Sequence, residues 1–503
     1  MQKFFTIEKM WWLALVLSGV AVYLIAMAFA ANQSIWFDEG YSILLAKSDW
    51  SQLFALTAVD AHPPFYYMLL KVWGTIFGFG EFALRSLSAI LLSAAVVTSL
   101  ALVRKLFSTK VALYVLPFIL FAPFLIRYGY EVRMYSLALL IGVVATYALV
   151  VAIEKNTWWR WLGYAALVAL GMYTLYMTVV VWLAHVVWLL IITLKAKKRP
   201  PLKSLKWLYA YAASVLLFSP YIYTFFYQLL NSALPGVGSE LTLTKLVDVG
   251  TTLSVYTPEW QIGGWLSLLL IISAAITIIL GVKIHRNLPA SVQKYYGLLV
   301  VLVVVPLLFY VITSLPPRTP IFINRYLGHI AVFIYMLAGV TIALSVTYRS
   351  SLKGVYRKLP FVGYGLAVLV VGLGMAQLYI TGNFVFERMQ HPQTSDLRQN
   401  ITCNDTTTVV ASDPYTFIDS VYYFDGCDIR FFSQDDVANK GGYAPLHNSS
   451  LRVEGSAQLD AKTVVTLGWV GGDAAFIVDD RYQLTASYQK DKQLFEVYTL
   501  TEE

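Results

Sequence analysis

Residues 10–31 read MWWLALVLSGVAVYLIAMAFAA, 22 positions without a charged side chain. Coiled as a helix, such a run reaches about 33 Å, which matches the ~30 Å hydrocarbon layer of a bilayer. It is longer than a signal-peptide core and has no small-residue cleavage pattern behind it, so it reads as a retained span. Just beyond it comes Trp36-Phe37-Asp38-Glu39-Gly40-Tyr41. Two adjacent acids where a helix leaves the membrane, in a region where acids are scarce, call for a chemical reason.

The pattern of the first run recurs along the chain. Of 503 residues, 58% are hydrophobic and only 13% charged, against about a quarter charged in ordinary soluble domains. Apolar runs near 10–31, 82–103, 111–127, 134–153, 161–174, 176–194, 207–227, 263–282, 295–314, 326–346 and 361–380 predict a polytopic α-helical membrane protein of about eleven spans. Residues 161–194 form one continuous stretch, too long for one helix and barely enough for two. With Lys3 and Lys9 in the cytoplasm, 20 of the 28 Lys and Arg of residues 1–380 fall in loops of that same face, including the cluster from Lys195 to Lys206. The positive-inside rule accounts for that bias, so the net charge of +8 gives no reason to expect nucleic-acid binding. The outer face then holds 32–81, 128–133, 228–262, 315–325 and everything from 381 onward.

Beyond residue 380 the balance reverses to 9 basic against 18 acidic residues. Short β-rich runs at Thr407–Val410, Val421–Phe424, Val464–Trp469, Ala475–Val478 and Phe495–Leu500, with some helix near Thr394–Asn400, predict a small C-terminal extracytoplasmic α/β domain. Two domains result: 1–380 in the membrane and 381–503 in water. Cys403 and Cys427, the only cysteines, are either bridged or two buried thiols. In the first outer loop, Asp49 with Gln52 suits a helix cap, and Pro63-Pro64 suit the first turn of a helix running to about Phe79. Phe65, Leu69, Val72 and Ile76 share one stripe of that helix, which predicts a segment lying along the interface.

Four outward features gather the chemistry-bearing residues. They are Asp38-Glu39, the stretch Asp60-Ala61-His62-Pro63-Pro64-Phe65-Tyr66-Tyr67, the stretch Arg127-Tyr128-Gly129-Tyr130-Glu131-Val132-Arg133-Met134-Tyr135, and Pro316-Pro317-Arg318 through Asn324-Arg325-Tyr326. Acids, a histidine and arginines at one interfacial level suit a lipid-phosphate donor and an acceptor arriving from outside. The ordinary readings stand beside each. Asp38 reads as a general base or as the cap of a helix beginning at Glu39. Glu39 reads as an acceptor contact or a solvated first-turn acid. Glu131, flanked by Arg127 and Arg133, reads as a paired acid. Arg133 and Arg325 offer guanidinium forks matched to phosphate oxygens, or anchors to lipid headgroups. Lys71 and Arg85 read as anchors of the second kind. Asp60 and His62 hydrogen-bond a substrate, hold a divalent metal, or serve the turn at Pro63-Pro64. Tyr66, Tyr67 and Tyr135 line a sugar pocket or join the interfacial aromatic belt, and Tyr326 beside Arg325 reads as a substrate contact. His185, His285 and His329 receive no role.

The acid pair after the first span, His62-Pro63-Pro64-Phe65-Tyr66-Tyr67 leading through Gly78 and Glu81-Phe82-Ala83-Leu84-Arg85, Glu131-Val132-Arg133-Met134-Tyr135 and the late Arg325-Tyr326 together resemble the GT-C superfamily. That group uses polyprenyl-phosphate sugars and includes protein O-mannosyltransferases and lipid A aminoarabinose transferases. The resemblance covers roughly the first 150 residues, touches the late Arg-Tyr pair, and hardly reaches the tail. It implies an inverting glycosyltransferase of the cell membrane in which Asp38 is the general base, acting on the extracytoplasmic side. It also implies that Glu131 is a second acid, one that orients the acceptor or holds an ion. The partners it implies are a polyprenyl-phosphate sugar donor, membrane lipids and a glycan, lipid or protein acceptor. A divalent metal occurs in some relatives. A transporter or flippase of a lipid-linked substrate is the competing class, and it predicts broken helices and mid-span ionisable residues.

Overall fold

A computed structural model describes residues 7–31, 33–196, 201, 205–231, 242–256, 264–315, 324–381, 393–471 and 476–501. Pro316-Pro317-Arg318, Asn32, Lys3, Lys197, Lys198, Arg199, Lys203 and Ala475 lie outside them. The chain falls into two compact units, each built from several chain segments. One holds Met1–Phe29, Arg85–Tyr223 and Leu234–Val385, and the other Ala30–Leu84, Thr224–Ala233 and Phe386–Glu503. The first outer loop therefore groups with the tail.

The first unit is a helical bundle. Its helices are α1 (Ile7–Ala30), then, past the first loop, α5 (Glu81–Leu106), α6 (Thr109–Leu120), α7 (Pro123–Gly129), α8 (Tyr135–Lys155), α9 (Trp158–Thr174), α10 (Val179–Leu194) and α11 (Lys206–Phe218). After α12 (Ile222–Asn231), which straddles the unit boundary, come α13 (Leu243–Val255), α14 (Gly264–His285), α15 (Ala290–Thr313), α16 (Gly328–Thr347) and α17 (Leu359–Thr381). Among the described residues, nine helices are long and apolar enough to cross a membrane, and α6 with α7 makes a tenth as a bent pair. The 17-residue α9 supplies the remaining expected run. The continuous stretch 161–194 thus resolves into two helices, parted at the extended Leu175.

The bundle is organised around α16, which packs against α6, α8, α14, α15 and α17. Small residues permit the closeness, as lipid-embedded packing requires. A Cβ on Gly339 would come within 2.9 Å of Phe118, so α6 and α16 meet at backbone range. Polar side chains inside the bundle find one another. The His185 ring bonds Tyr164 through Nδ1 at 2.9 Å and Thr146 through Nε2 at 3.0 Å, and the Tyr164 hydroxyl meets Tyr211 at 2.7 Å. His185 is a structural histidine.

The third run is not one straight span. The chain bends by 60° between α6 and α7 because Pro123 begins α7 at a position where no amide hydrogen remains to extend α6. Every residue of α7 is buried, as irregular backbone at membrane depth must be. The last turn of α7 delivers Arg127, which donates from Nη1 to Glu131 Oε1 at 2.6 Å, both side chains fully enclosed. A helix at Leu243–Val255, packed on α7 and α17, was not expected from the sequence, although Thr242 is an ordinary cap, accepting from the Lys245 amide at 3.1 Å.

In the second unit the first loop forms α2 (Phe37–Lys47), α3 (Trp50–Val59) and α4 (Phe65–Phe77). Asp49 does sit at the cap of α3, but its side chain accepts no capping hydrogen bond. Pro64 caps α4, so the two prolines precede the helix. The stripe of Phe65, Leu69, Val72 and Ile76 is the outward face, with Val72 and Ile76 well exposed, while Tyr66, Tyr67, Leu70 and Gly74 face inward. A helix meant for lipid presents its apolar stripe outward, the reverse of a soluble helix.

The tail builds a six-stranded sheet in the order β3-β2-β1-β4-β6-β5, with β1 (Thr407–Ala411), β2 (Asp428–Phe432), β3 (Arg452–Val453), β4 (Thr463–Trp469), β5 (Tyr482–Lys490) and β6 (Gln493–Leu500). Strands β1 to β4 pair in parallel, and β4, β6 and β5 antiparallel. Helix α18 (Thr394–Arg398) precedes the sheet, and α19 (Pro414–Ser420) crosses from β1 to β2. Two expected strands fail. Residues 421–424 are turns that follow α19, and the described residues of Ala475–Val478 are not strand. The overlooked signal was Asp413-Pro414, an N-cap followed by proline at the first helical position; Asp413 Oδ1 indeed accepts from the Thr416 amide at 2.9 Å.

Cys403 and Cys427 are bridged across 24 residues of sequence. Closing a loop of that length stabilises the tail by about 3–4 kcal/mol in the chain-entropy picture. The C403S/C427S variant is therefore expected to lose about 3 kcal/mol of tail stability in a denaturant titration followed by Trp469 fluorescence. Removing one member of the Arg127 and Glu131 pair strands a buried charge, at roughly 3–5 kcal/mol. E131A is expected to lower the detergent-solubilised melting temperature far more than the double variant R127A/E131A, read by scanning fluorimetry.

Candidate active site

In the second unit, α2 begins at Phe37, and Trp36 occupies its cap without a side-chain bond. Asp38 and Glu39 therefore lie inside the first turn, where carboxylates meet the positive end of the helix dipole, and Asp38 is not a cap. The two acids differ in access. Glu39 is 1% exposed, so it is not a solvated acid, whereas Asp38 is half-buried. Tertiary contacts fix α2 at both ends. Lys71 on α4 donates to the carbonyls of Ala46 at 3.3 Å and Ser48 at 2.5 Å, closing the helix C-terminus. Lys71 is thus a tie between helices and not a lipid anchor.

The N-terminal end of α2 is held by the tail. Phe37 stacks on Tyr415 with centroids 4.6 Å apart and meets Tyr443 edge-on at 5.4 Å. The Ile35 amide donates to Tyr423 Oη at 2.6 Å, and Ser34 shares a hydroxyl bond of 2.7 Å with Ser395. Gly40 is required by space: a Cβ there would stand 2.3 Å from the Ile418 carbonyl oxygen of α19.

Asp60 is 2% exposed, and its Oδ2 lies 3.5 Å from Nδ1 of the partly exposed His62. Among the described residues no three His, Cys, Asp or Glu side chains gather to hold a metal. Tyr66 is fully buried and meets Tyr67 edge-on at 6.0 Å, and Tyr67 in turn meets Tyr41 edge-on at 6.1 Å. That cluster packs α4 against α2 and gives Tyr66 a structural post.

The first unit carries the other expected residues. Glu131 is paired with Arg127, as the ordinary reading of an acid among arginines had it, and Arg127 also lies over the Tyr128 ring at 5.1 Å. The backbone turns sharply here, with the Arg133 amide on the Glu131 carbonyl at 2.6 Å. Arg133 is 4% exposed and Arg85 is 2% exposed, so neither reaches out to lipid headgroups. Arg325 is half-buried in the turn before α16, and Tyr326, itself buried, accepts at its carbonyl from Tyr310 Oη at 3.0 Å. Gly328, three residues after Arg325, comes against Tyr135, two residues after Arg133. The segments bearing the two arginines therefore converge, and Leu92, Phe124, Tyr128, Tyr135 and Leu139 line a small crevice there.

Residues 61–223 match the family model for dolichyl-phosphate-mannose-protein mannosyltransferase, a segment holding His62, Glu131 and Arg133 but neither Asp38 nor Arg325. No curated protein matched the chain by sequence. Two solved structures of ArnT from Cupriavidus metallidurans share the fold at 11% identity. The apo form aligns with a TM-score of 0.60 over 98% of this chain and 98% of that one. The form bound to undecaprenyl phosphate aligns with 0.57 over 97% and 98%. The chain thus carries one segment similar to that mannosyltransferase family and, over nearly its whole length, the fold of the ArnT structures.

Proposed function

We propose that this protein transfers a sugar from a polyprenyl-phosphate carrier to an acceptor hydroxyl, with inversion, on the extracytoplasmic face of the membrane. Asp38 is the general base. Its carboxylate takes the acceptor proton as the acceptor oxygen bonds to the anomeric carbon from the side opposite the phosphate. The bond from anomeric carbon to phosphate oxygen breaks, and the electron pair leaves with the polyprenyl phosphate. Phosphate is a good leaving group, so one positioned carboxylate meets most of the chemical demand. Arg133 and Arg325 neutralise the phosphate, and Glu131 is a structural partner of Arg127 that holds the Arg133 turn in shape. Asp60 and His62 are the polar pair offered to a substrate hydroxyl.

The observation that carries this reading is the split between adjacent acids: Glu39 is sealed, and Asp38 alone of the two remains accessible on a helix tied at both ends. The bridged Cys403 and Cys427 support an oxidising, extracytoplasmic setting for the tail. A donor on a polyprenyl phosphate is favoured by the undecaprenyl phosphate bound in the ArnT structure that shares the fold. The bent α6 and α7 pair favours transport of a lipid-linked substrate as the second reading. The two part on D38N, which leaves translocation of a labelled polyprenyl-phosphate sugar intact if the protein is a flippase.

Purified protein in liposomes, supplied with a panel of radiolabelled polyprenyl-phosphate sugars and an extract of envelope acceptors, tests the proposal. D38N is expected to lower kcat by about 10²–10⁴-fold, the usual worth of a general base, with little change in donor KM. Equal turnover in D38N and wild type would remove Asp38 from the mechanism. R133Q and R325Q are each expected to weaken donor binding by roughly tenfold to a hundredfold, the worth of a lost charged hydrogen bond. R133K should recover only part of this, because lysine lacks the fork.

A further inference from the structure

Asp419 is a carboxyl group in the tail with an unusual setting. It sits in the last turn of α19, 0% exposed, and neither oxygen closes a hydrogen bond of ordinary geometry. Helix α19 packs on α2, β1, β2 and β4. The groups acting on Asp419 from these elements are the Phe37 amide and the Asp38 carboxylate of α2, with Asp413 at the cap of its own helix. Tyr443 completes the set; its phenol is pushed up to about 12 by burial, then by Asp413 and Asp419. No cation acts on Asp419 among the described residues.

We propose that Asp419 is a positioning residue, a carboxyl group of the tail set against the first turn of α2 that fixes the backbone from which Asp38 projects. This rests on Asp38 being the base. The Phe37 amide belongs to the first orphan donors of α2, which Trp36 leaves without a side-chain acceptor. Asp419 is the acid placed to receive it, while Gly40 against Ile418 and Phe37 against Tyr415 hold the two helices in contact on either side. Burial first, then the neighbouring Asp413, push the Asp419 carboxyl well above the usual range. A neutral acid fits this post, because it faces the helix end without adding a second negative charge beside Asp38.

The sign follows from that setting. A carboxyl whose pKa is raised in the fold costs no stability below its unfolded value near about 4, and costs progressively more as pH rises above it. Replacing it with an amide removes that cost. D419N is therefore expected to raise the melting temperature of the detergent-solubilised protein at pH 8 and to leave it unchanged at pH 4. Difference infrared spectra taken over a pH series should show the carbonyl band of an un-ionised carboxylic acid persisting above the usual carboxylate range in wild type and lack it in D419N. On whichever labelled donor of the liposome panel wild type uses, D419A is expected to lose kcat by roughly ten- to a hundredfold, as a misplaced group does, with donor KM little changed. D419N should recover most of the kcat that D419A loses. Full activity in D419A, or no protonated-acid band above the usual carboxylate range, would overturn the proposal. If D38N is fully active while the band and the D419N stabilisation are present, the assignment of Asp38 as base fails and the buried neutral acid stands.

Discussion

The contact between Gly40 of α2 and the Ile418 carbonyl of α19 is the constraint on which the seating of α2 depends. With any side chain at position 40, a Cβ would stand 2.3 Å from that oxygen, and the two helices would have to part. Once they part, the stacking of Phe37 on Tyr415 and the approach of Asp419 to the helix start are lost together. Loops at a membrane surface are ordinarily the mobile part of a protein. Here the loop is pinned through backbone contact, ring stacking and paired hydroxyls, so the helix that carries Asp38 and Glu39 is held in a fixed geometry.

A second constraint shapes the bundle. Arg85, Arg127, Glu131 and Arg133 are all nearly sealed from solvent near helix ends. Charges in that position are costly unless they are paired and hydrogen-bonded. Arg127 and Glu131 satisfy each other at 2.6 Å across one helical turn, and Tyr128 offers its ring to the same guanidinium. The break at Pro123 makes this geometry available, because a straight helix would carry Arg127 in another direction. The cost of irregular backbone is offset by burying all of α7 in protein.

Much of the architecture was legible in the sequence, because lipid imposes a length and polarity rule that a sequence cannot disguise. The eleven expected runs coincide with helices, and the interfacial helices of the first loop appear within a few residues of where Asp49 and Pro64 put them. The acid pair also stood out, since acids are rare in the membrane region. Three things could not be read. Whether Arg133 faced lipid or protein depends on rotation about a helix end, which composition does not encode. The strand expected at 421–424 has the right residues, but α19 captures the chain just before it. Asp419 is one acid among 18 in an acidic tail, and only burial against α2 distinguishes it from its solvated neighbours.

Because the tail supplies the surface against which α2 is set, the order of synthesis matters to the cell. The first loop is made long before α19 and the sheet it packs against. The start of α2 takes its final form only through hydrogen bonds that span 361 and 388 residues of sequence. A chain that ends before the tail would leave this helix without its seat.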